Sequence, residues 1–157
     1  MVKRTCMDNA TCPVARSLDA IGDWWSLLIV REAFINVRRF GDFQKRLGLA
    51  KNILTTRLRN LVAGGILEMR PASDGSAYQE YVLTEKGRSL VTVMVALRQW
   101  GEEYLYEPGE PTTILRDRLN KKPLAKLQVL SEDGRPLGVS DMTLLPAPVA
   151  ADGAESK

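Results

Sequence analysis

Histidine is absent from this chain and cysteine is rare. Among its 157 residues there is no histidine, and the two cysteines are Cys6 and Cys12. Histidine is the commonest general base and the commonest metal ligand, so its absence disfavours acid–base catalysis and a structural zinc site. Two cysteines do not form the disulfide framework of a small secreted domain, which favours a reducing, cytoplasmic location. We therefore expect neither a metal nor another cofactor.

Long apolar runs and the usual motifs of enzymes are also missing. No window of the sequence approaches the roughly 18 apolar residues that a membrane-spanning helix needs, and no apolar run resembling a signal peptide follows the basic residues near Met1. The sequence has no glycine-rich phosphate loop and no recognisable nucleophile–base pair. These absences argue against a membrane partner and against an enzyme.

Positive charge is concentrated between Arg38 and Arg70. This segment holds eight basic and two acidic residues, a net charge of +6, whereas the rest of the chain sums to −3. A basic patch on a nearly neutral body is typical of a protein that binds phosphate groups. A solvated basic surface is the plainer interpretation, and charge alone does not decide between the two.

The basic segment has the pattern of a helix-turn-helix. Phe40, Phe43 and Leu47 recur at helical spacing and predict a short helix, which Gly48 ends. A second helix is predicted over 51–63, ended by two glycines. Its apolar positions form one buried stripe, which consists of Leu54, Leu58, Leu61 and Val62.

A β-hairpin is predicted directly after the second helix. The strands cover 66–70 and 78–83, and the Asp74-Gly75 pair between them is a strong turn signal. A helix-turn-helix followed by such a wing places one helix in the major groove of DNA. The predicted fold class is therefore mainly α with a small β wing, a winged helix-turn-helix.

The flanking segments predict a core and a dimer face. Residues 9–22 carry apolar positions on one helical face, and a helix over 24–35, capped by Asp23, is apolar nearly all round, as in a buried core. A long helix over 86–105 has more apolar positions than one small core uses. We interpret Val93, Leu97 and Trp100 as a homodimer interface; the alternative is that this helix packs on its own domain.

Three regions follow from these patterns. Residues 1–106 form the predicted DNA-binding and dimerisation domain. Residues 107–145 form a small β-hairpin-like appendage, with a second turn signal at 132–135. Residues 146–157 form a tail rich in alanine, proline and glycine, which is predicted to be disordered.

The polar stripe of the second helix supplies the candidate DNA-reading residues. Asn52 offers a donor and an acceptor, which suit adenine, and Thr55 and Thr56 offer a hydroxyl and a methyl group. Lys51 and Arg59 reach phosphates or guanine. An exposed Thr-Thr pair is a poor helix former, which favours a functional reason for its presence.

Further candidate contacts lie on either side of this helix. Arg38 and Arg39 precede the first helix of the motif and are candidates for clamping phosphates; a plain solvated arginine pair is the alternative. In the wing, Arg70, Ser73 and Ser76 are candidates for sugar-phosphate or minor-groove contacts.

Several motifs, in order and spacing, resemble the HxlR-type transcriptional regulators, relatives of the MarR group. The resemblance covers about ninety residues, from Cys12 to Tyr104. It rests on residues 12–16, Leu18, Gly22, Trp25, 27–32, Arg39-Phe40, Leu58, Leu61, Gly65 and 83–87. It implies a winged helix-turn-helix and a homodimer formed by the N-terminal and long C-terminal helices. It also implies binding to double-stranded DNA at a palindromic operator.

Cys12 occupies the place where some members of this family sense thiol-reactive electrophiles or oxidants. Three interpretations of Cys12 stay open: a redox sensor at a helix N-terminus, a small apolar group packed beneath Trp25, or one half of a disulfide with Cys6. A small-molecule effector is the alternative signal. For the whole protein, the alternative to a DNA-binding regulator is a winged-helix module that binds another protein.

Overall fold

A computed structural model describes residues 10–145 of the chain. Cys6 and the predicted disordered tail, 146–157, lie outside the described residues. The elements are numbered in chain order: α1 Pro13–Ile21, α2 Trp24–Phe34, α3 Phe40–Leu47, α4 Lys51–Ala63, β1 Leu67–Pro71, β2 Gln79–Leu83, α5 Glu85–Ser89 and α6 Val91–Tyr104. A short 3₁₀ turn, Val139–Asp141, lies near the end of the described chain.

Local chemistry determines where the helices begin and end. Pro13 is the first residue of α1, where its missing N–H costs nothing. Asp23 caps α2 by accepting a hydrogen bond from the backbone N–H of Ser26 at 3.1 Å. Gly48 ends α3 in the left-handed conformation, with φ at 64°. The capping role of Asp23 and the stop at Gly48 are as predicted.

The core lies where α2, α3 and α4 meet the sheet. Ile29 and Val30 of α2 and Phe43 of α3 are fully buried. From α4, the predicted stripe supplies three buried leucines, Leu54, Leu58 and Leu61, with Val62 half-buried beside them. Burial of each large apolar side chain stabilises the fold by roughly 1.5–3 kcal/mol. This core fixes α4 with one face inward and the opposite face in solvent.

The sheet is a two-stranded antiparallel hairpin. Its register pairs Leu67 with Leu83 and Pro71 with Gln79. The N–H of Tyr81 donates to the carbonyl of Arg38 at 2.8 Å, which ties the hairpin to the chain just before α3. Together with the mostly helical remainder, the hairpin confirms the predicted winged helix-turn-helix fold class.

Thr84 and Gly87 attach the wing to α5. The Thr84 hydroxyl donates to the carbonyl of Gly65 at 2.6 Å and accepts from the N–H of Gly87 at 3.0 Å, so it caps α5. Gly87 is buried, and a Cβ there would lie 2.1 Å from the carbonyl oxygen of Ile66. Glycine is therefore required at this position by the close approach of α5 to the start of the hairpin.

Two predictions about the helices are wrong in part. The long helix over 86–105 is two helices, α5 and α6, separated at Leu90, whose ψ of −6° departs from helical geometry. The helix over 24–35 is not buried all round, because Trp24 is 72% exposed and Ile35 lies outside α2 and is exposed too. Among the described residues, no helix is long and apolar enough to cross a membrane.

The chain divides into two compact units, Met1–Tyr106 and Glu107–Lys157. Within the second unit, the turn signal at 132–135 forms a tight turn in which the N–H of Gly134 donates to the carbonyl of Ser131 at 2.9 Å. The strand-like pattern around it forms no regular strand among the described residues. Leu130 and Pro136, on either side of this turn, form a single antiparallel bridge. Arg116 and Pro123, earlier in the unit, form another.

A buried carboxylate links α2 to α3. The side chain of Glu32 is 5% exposed and pairs with Arg31, 2.7 Å away, and with Arg46 of α3. Burial alone raises the pKa of the Glu32 carboxyl, but hydrogen bonds from Arg46 and Arg31 outweigh it, so the pKa lies below its ordinary value. The ionised form is therefore stabilised by folding.

We expect Glu32→Gln to lower the free energy of unfolding at neutral pH by on the order of 2 kcal/mol, since it removes two charge-assisted hydrogen bonds. A lowered folded-state pKa contributes stability that is present above the unfolded pKa and is lost as pH falls through the folded pKa. Urea unfolding between pH 7 and pH 3 should show that acid loss in the parent and less of it in the variant. Glu68→Gln, which breaks the exposed pair with Arg70, is the matched control. Equal effects of the two substitutions would contradict this role of Glu32.

Candidate DNA-binding surface

The exposed face of α4 carries the predicted reading residues. Lys51, Asn52 and Arg59 are all exposed. Among the described residues, the side chains of these three form no ion pair and no hydrogen bond. Their donors and acceptors are therefore available to a ligand that approaches this face.

Thr55 and Thr56 are oriented by α4 itself. The Thr55 hydroxyl donates to the carbonyl of Lys51 at 2.8 Å, and the Thr56 hydroxyl donates to the carbonyl of Asn52 at 3.0 Å. Each hydroxyl proton is therefore already used. The oxygen lone pairs and the methyl groups remain for a ligand, and a methyl group fits the methyl group of thymine better than a phosphate.

The N-terminus of α4 is open. Its cap residue, Ala50, has no side chain that can accept from the first-turn N–H groups, and no acidic residue lies in that turn. Unpaired N–H groups at a helix N-terminus attract anions such as phosphate. This end of α4 adds to the positive character of Lys51 beside it.

The wing loop is held by two arginines that were predicted to contact phosphates. Arg39 pairs with Asp74 at the loop tip and lies over the ring of Tyr78, 5.6 Å from its centre. Arg38 lies 3.5 Å from the buried carboxylate of Glu80. The arginine pair therefore already has intramolecular partners, which attach the wing to the start of α3.

The predicted wing serines and Arg70 also have partners within the wing. The Ser73 hydroxyl donates to Glu80 at 3.2 Å, and the backbone N–H of Ser76 donates to Asp74 at 3.1 Å. Arg70 pairs with Glu68. These contacts stabilise the loop, and of the three predicted wing residues Arg70 is the most available, because its side chain is 64% exposed.

The acidic partners in this region were missed from the sequence. Asp74 and Glu80 lie 35 and 41 positions after Arg39 and were not proposed as its partners. Likewise Arg57, which was counted in the basic segment, pairs with Asp23 at 3.1 Å. No local sequence signal marks these pairs, because the fold brings their members together.

An apolar stripe runs along the exposed side of α6. It consists of Val93, Leu97, Trp100 and Tyr104, which we call the α6 stripe, and all four are exposed in the single chain. Val14 and Leu18 of α1 are exposed as well. By contrast, Leu90 and Met94, on another side of this segment, pack against the core.

Cys12 is exposed at the cap position of α1, beside Pro13. The interpretation that it packs beneath Trp25 is therefore wrong for the single chain. A disulfide with Cys6 lies outside the described residues. Among the described residues, no group of histidine, cysteine or acidic side chains is arranged to hold a metal ion.

A helix-turn-helix with a hairpin wing behind its second helix defines the class of winged helix-turn-helix regulators. The profile of one family in this class, described as HxlR-like helix-turn-helix, matches residues 20–108. The chain belongs to this family, which confirms the resemblance drawn from its motifs.

One similar curated protein is the uncharacterized HTH-type transcriptional regulator Rv3095 of Mycobacterium tuberculosis. It is 47% identical over 103 residues, which is 66% of this chain and 65% of the relative. The match therefore spans somewhat less than two thirds of the relative's length.

Two solved structures are informative. PA1607, a proposed transcription factor, superposes with a TM-score of 0.87 at 52% identity and covers 91% of this chain and 100% of its own. The redox regulator HypR, in its oxidized form, gives a TM-score of 0.53 at 32% identity and covers 59% of this chain and 96% of its own. Since 91% of the chain is more than residues 1–106, the match to PA1607 extends into the second unit.

Proposed function

We propose that this regulator is a homodimer that binds a palindromic operator in double-stranded DNA and reads it with α4. The observation that carries the proposal is the exposed face of α4, where the side chains of Lys51, Asn52 and Arg59 have no intramolecular partner among the described residues. The family supports it, since its curated relatives are named as HTH-type transcriptional regulators. We also propose that it works in the cytoplasm and catalyses no reaction.

The residues of α4 divide into contacts to bases and contacts to the DNA backbone. Asn52 and the methyl groups of Thr55 and Thr56 match adenine and thymine, while Arg59 matches guanine or a phosphate. Lys51 and the open helix N-terminus match a phosphate at the edge of the groove. This division assigns sequence discrimination to the middle of the face and positioning to its first turn.

The wing arginines, Arg38 and Arg39, have two roles in this proposal: they hold the wing and they contact phosphates. Arg39 and Arg38 fix the angle of the wing to α3 through Asp74 and Glu80, and both side chains remain partly exposed. They can meet a phosphate with the edge of the guanidinium group that the carboxylate does not use. Arg70 extends from β1 on the more open side of the wing.

Two-fold symmetry explains why a palindrome is expected. If the α6 stripe and α1 form the dimer interface, the two α4 helices are related by the same axis. For binding to one face of B-DNA they must be roughly 34 Å apart, which places them in successive major grooves. A signal that changes this separation or the angle between the helices changes operator affinity.

Salt titration separates this proposal from a winged-helix module that binds protein. Binding to DNA from the promoter region next to its own gene is measured by fluorescence anisotropy between 50 and 200 mM salt. Counterion release should lower the logarithm of the binding constant linearly with the logarithm of salt, by about 0.9 per phosphate contacted. DNA of unrelated sequence should bind much more weakly. Absence of binding at the lowest salt would contradict the proposal.

Cys12 is the proposed site of a thiol-reactive signal. Its exposure allows a quinone to approach the sulfur; a carbon–sulfur bond then forms and the thiol proton moves to a quinone oxygen. A peroxide would instead oxidise the thiol to a sulfenic acid and leave as water or an alcohol. Either product adds bulk or polarity at the start of α1, near exposed apolar residues assigned to the dimer. HypR, a redox regulator of similar fold, supports a redox response.

We expect Cys12→Ser to bind the operator as tightly as the parent and to lose any response to quinone or peroxide. Gel-shift assays with and without oxidant measure this, and Cys6→Ser is the comparison, because it should at most alter reversal of the response. If the native dimer does not react at Cys12 with an alkylating reagent, the signal is a non-covalent small molecule instead.

A further inference from the structure

A small cleft opens between the end of α2, the strand β2 and the helix α5. Its volume is about 220 Å³, below the roughly 300 Å³ at which pockets for drug-sized ligands begin. The described residues that line it include two arginines and no acidic residue. Its lining includes Phe34, Asn36, Arg38, Val82, Leu83 and Arg88. The cleft is therefore small and carries positive charge.

Arg88 brings a positive charge that no carboxylate neutralises. Its Nη1 donates to the carbonyl oxygen of Leu83 at 2.7 Å, which holds the guanidinium group beside the end of β2. Among the described residues, Arg88 forms no ion pair. A guanidinium group has five N–H donors, so most of those of Arg88 remain available to a ligand in the cleft.

Arg38, on the opposite side of the cleft from α5, is only weakly neutralised. Its Nη1 lies 3.5 Å from Oε2 of Glu80, and the same carboxylate lies 3.9 Å from Nε of Arg39. One carboxylate thus faces two guanidinium groups. The Nη2 of Arg38 donates to Oδ1 of Asn36 at a long 3.5 Å, and this leaves the amide N–H groups of Asn36 free to donate. The polar part of the cleft therefore offers N–H donors and surplus positive charge.

The remaining wall of the cleft is apolar. Phe34, Val82 and Leu83 line it and are half-buried. An arginine binds a carboxylate with two parallel hydrogen bonds, and the apolar wall gains stability only if hydrocarbon covers it. Inorganic phosphate would satisfy the arginines and leave this wall in water. The two parts together fit a carboxylate that is attached to a small hydrocarbon body.

We propose that this cleft binds a small organic carboxylate, which acts as a non-covalent effector and weakens operator binding. The regulatory half of the inference rests on the proposed function, because Arg38 is one of the proposed phosphate contacts. A guanidinium edge that holds the ligand is withdrawn from the DNA. By linkage, operator DNA must then weaken ligand binding by the same factor.

Isothermal titration calorimetry on the full chain without DNA tests the site. The probes are benzoate and hexanoate, compared with acetate, benzamide and inorganic phosphate. At least one of the two larger carboxylates should bind with a dissociation constant of about 1 mM or below, within the range for so small a ligand. Acetate lacks the hydrocarbon body and benzamide lacks the charge, so both should bind about tenfold more weakly or not at all. If neither larger carboxylate binds, or if phosphate binds as tightly, the proposal is overturned.

Two variants locate the binding in this cleft. Arg88→Gln should weaken binding of the probe by about tenfold or more, the scale of losing a charge-assisted hydrogen bond. The matched control is Lys86→Gln, because Lys86 is also an exposed basic residue of α5 that donates to a backbone carbonyl, that of Gly64 at 2.9 Å. Val82→Phe fills the cleft without removing a charge and should weaken binding as well. Parent-like binding by Arg88→Gln or by Val82→Phe would place the probe elsewhere and overturn the site.

Gel-shift assays with the same probe test the regulatory half. At a saturating concentration the probe should lower the operator affinity of the parent by about fivefold or more, relative to sodium chloride at equal concentration. In Arg88→Gln the same concentration should change the affinity far less. Binding of the probe without any change in operator affinity would overturn the regulatory half. If the parent fails to bind operator even without the probe, the proposed function fails instead, and calorimetry still decides whether the site exists.

Discussion

Val93→Asp with Leu97→Asp is expected to give a folded monomer that has lost nearly all operator affinity. Both side chains are exposed in the single chain and lie four residues apart on the α6 stripe. Burying two carboxylates in an apolar interface costs several kcal/mol, more than enough to reverse a dimerisation equilibrium. A monomer then contacts one half-site, and the affinity gained by linking two reading helices disappears.

Sedimentation and gel-shift assays on the same preparation measure both effects. Thr92→Asp is the control, because it adds one of these carboxylates on α6, about a quarter-turn or more away from the stripe. It should dimerise and bind like the parent. An unchanged dimer dissociation constant in the double variant would place the interface elsewhere. It would also remove the geometric reason for a palindromic operator.

Asn52→Ala and Arg59→Ala are each expected to weaken operator binding by on the order of 1–3 kcal/mol, or about 5- to 150-fold. Neither side chain supports the fold, because both are exposed and neither has an intramolecular partner among the described residues. The thermal midpoint should therefore stay within a degree or two of the parent, consistent with a surface substitution.

Two further measurements make this result specific. Gln128→Ala removes an exposed amide outside α4 and should bind like the parent. Operators with single base changes should show which position each side chain reads, because a lost base contact relaxes discrimination at one base pair. If both variants bind as tightly as Gln128→Ala, α4 is not the reading helix.

Helix α4 could be predicted because local and tertiary signals agree there. Leu54, Leu58 and Leu61 repeat at helical spacing, and Gly64 follows the last turn; the helix accordingly runs from Lys51 to Ala63 as predicted. The hairpin was predictable for a similar reason, since Asp74-Gly75 selects a tight turn between two strands that pair in register. The cap at Asp23 was predictable because it depends on a local hydrogen bond to the Asp23 side chain.

The break between α5 and α6 could not be predicted, because no local sequence signal marks it. Position 90 is neither proline nor glycine, so the helical spacing of the apolar residues continues through Leu90. Instead, Gly87 packs closely against the carbonyl of Ile66, and the capped turn of α5 ends before α6 begins. A periodic pattern reports which faces are apolar, not whether one helix or two carry them.

Charge pairing was the least predictable part of the surface. Arg38 and Arg39 were predicted to contact phosphates and Arg57 was counted in the basic segment, whereas each lies beside a carboxylate brought to it by the fold. A net charge taken from the sequence therefore overstates the free positive charge near α4. Burial was overpredicted at Trp24. An apolar residue in a core helix can still face solvent when no neighbouring element reaches it.

Affinity cleavage from α4 is the most direct test of the proposal that a dimer reads a palindromic operator with this helix. Duplexes enriched by the protein from a random pool provide the operator, and Arg59→Cys, in a chain with Cys6→Ser and Cys12→Ser, carries an iron chelate that cleaves nearby DNA. We expect two cleavage centres related by the symmetry of an inverted repeat and separated by roughly 10 base pairs, one helical turn of DNA. A single cleavage centre, or uniform cleavage along an unenriched pool, would contradict the claim that a dimer reads a palindrome with this helix.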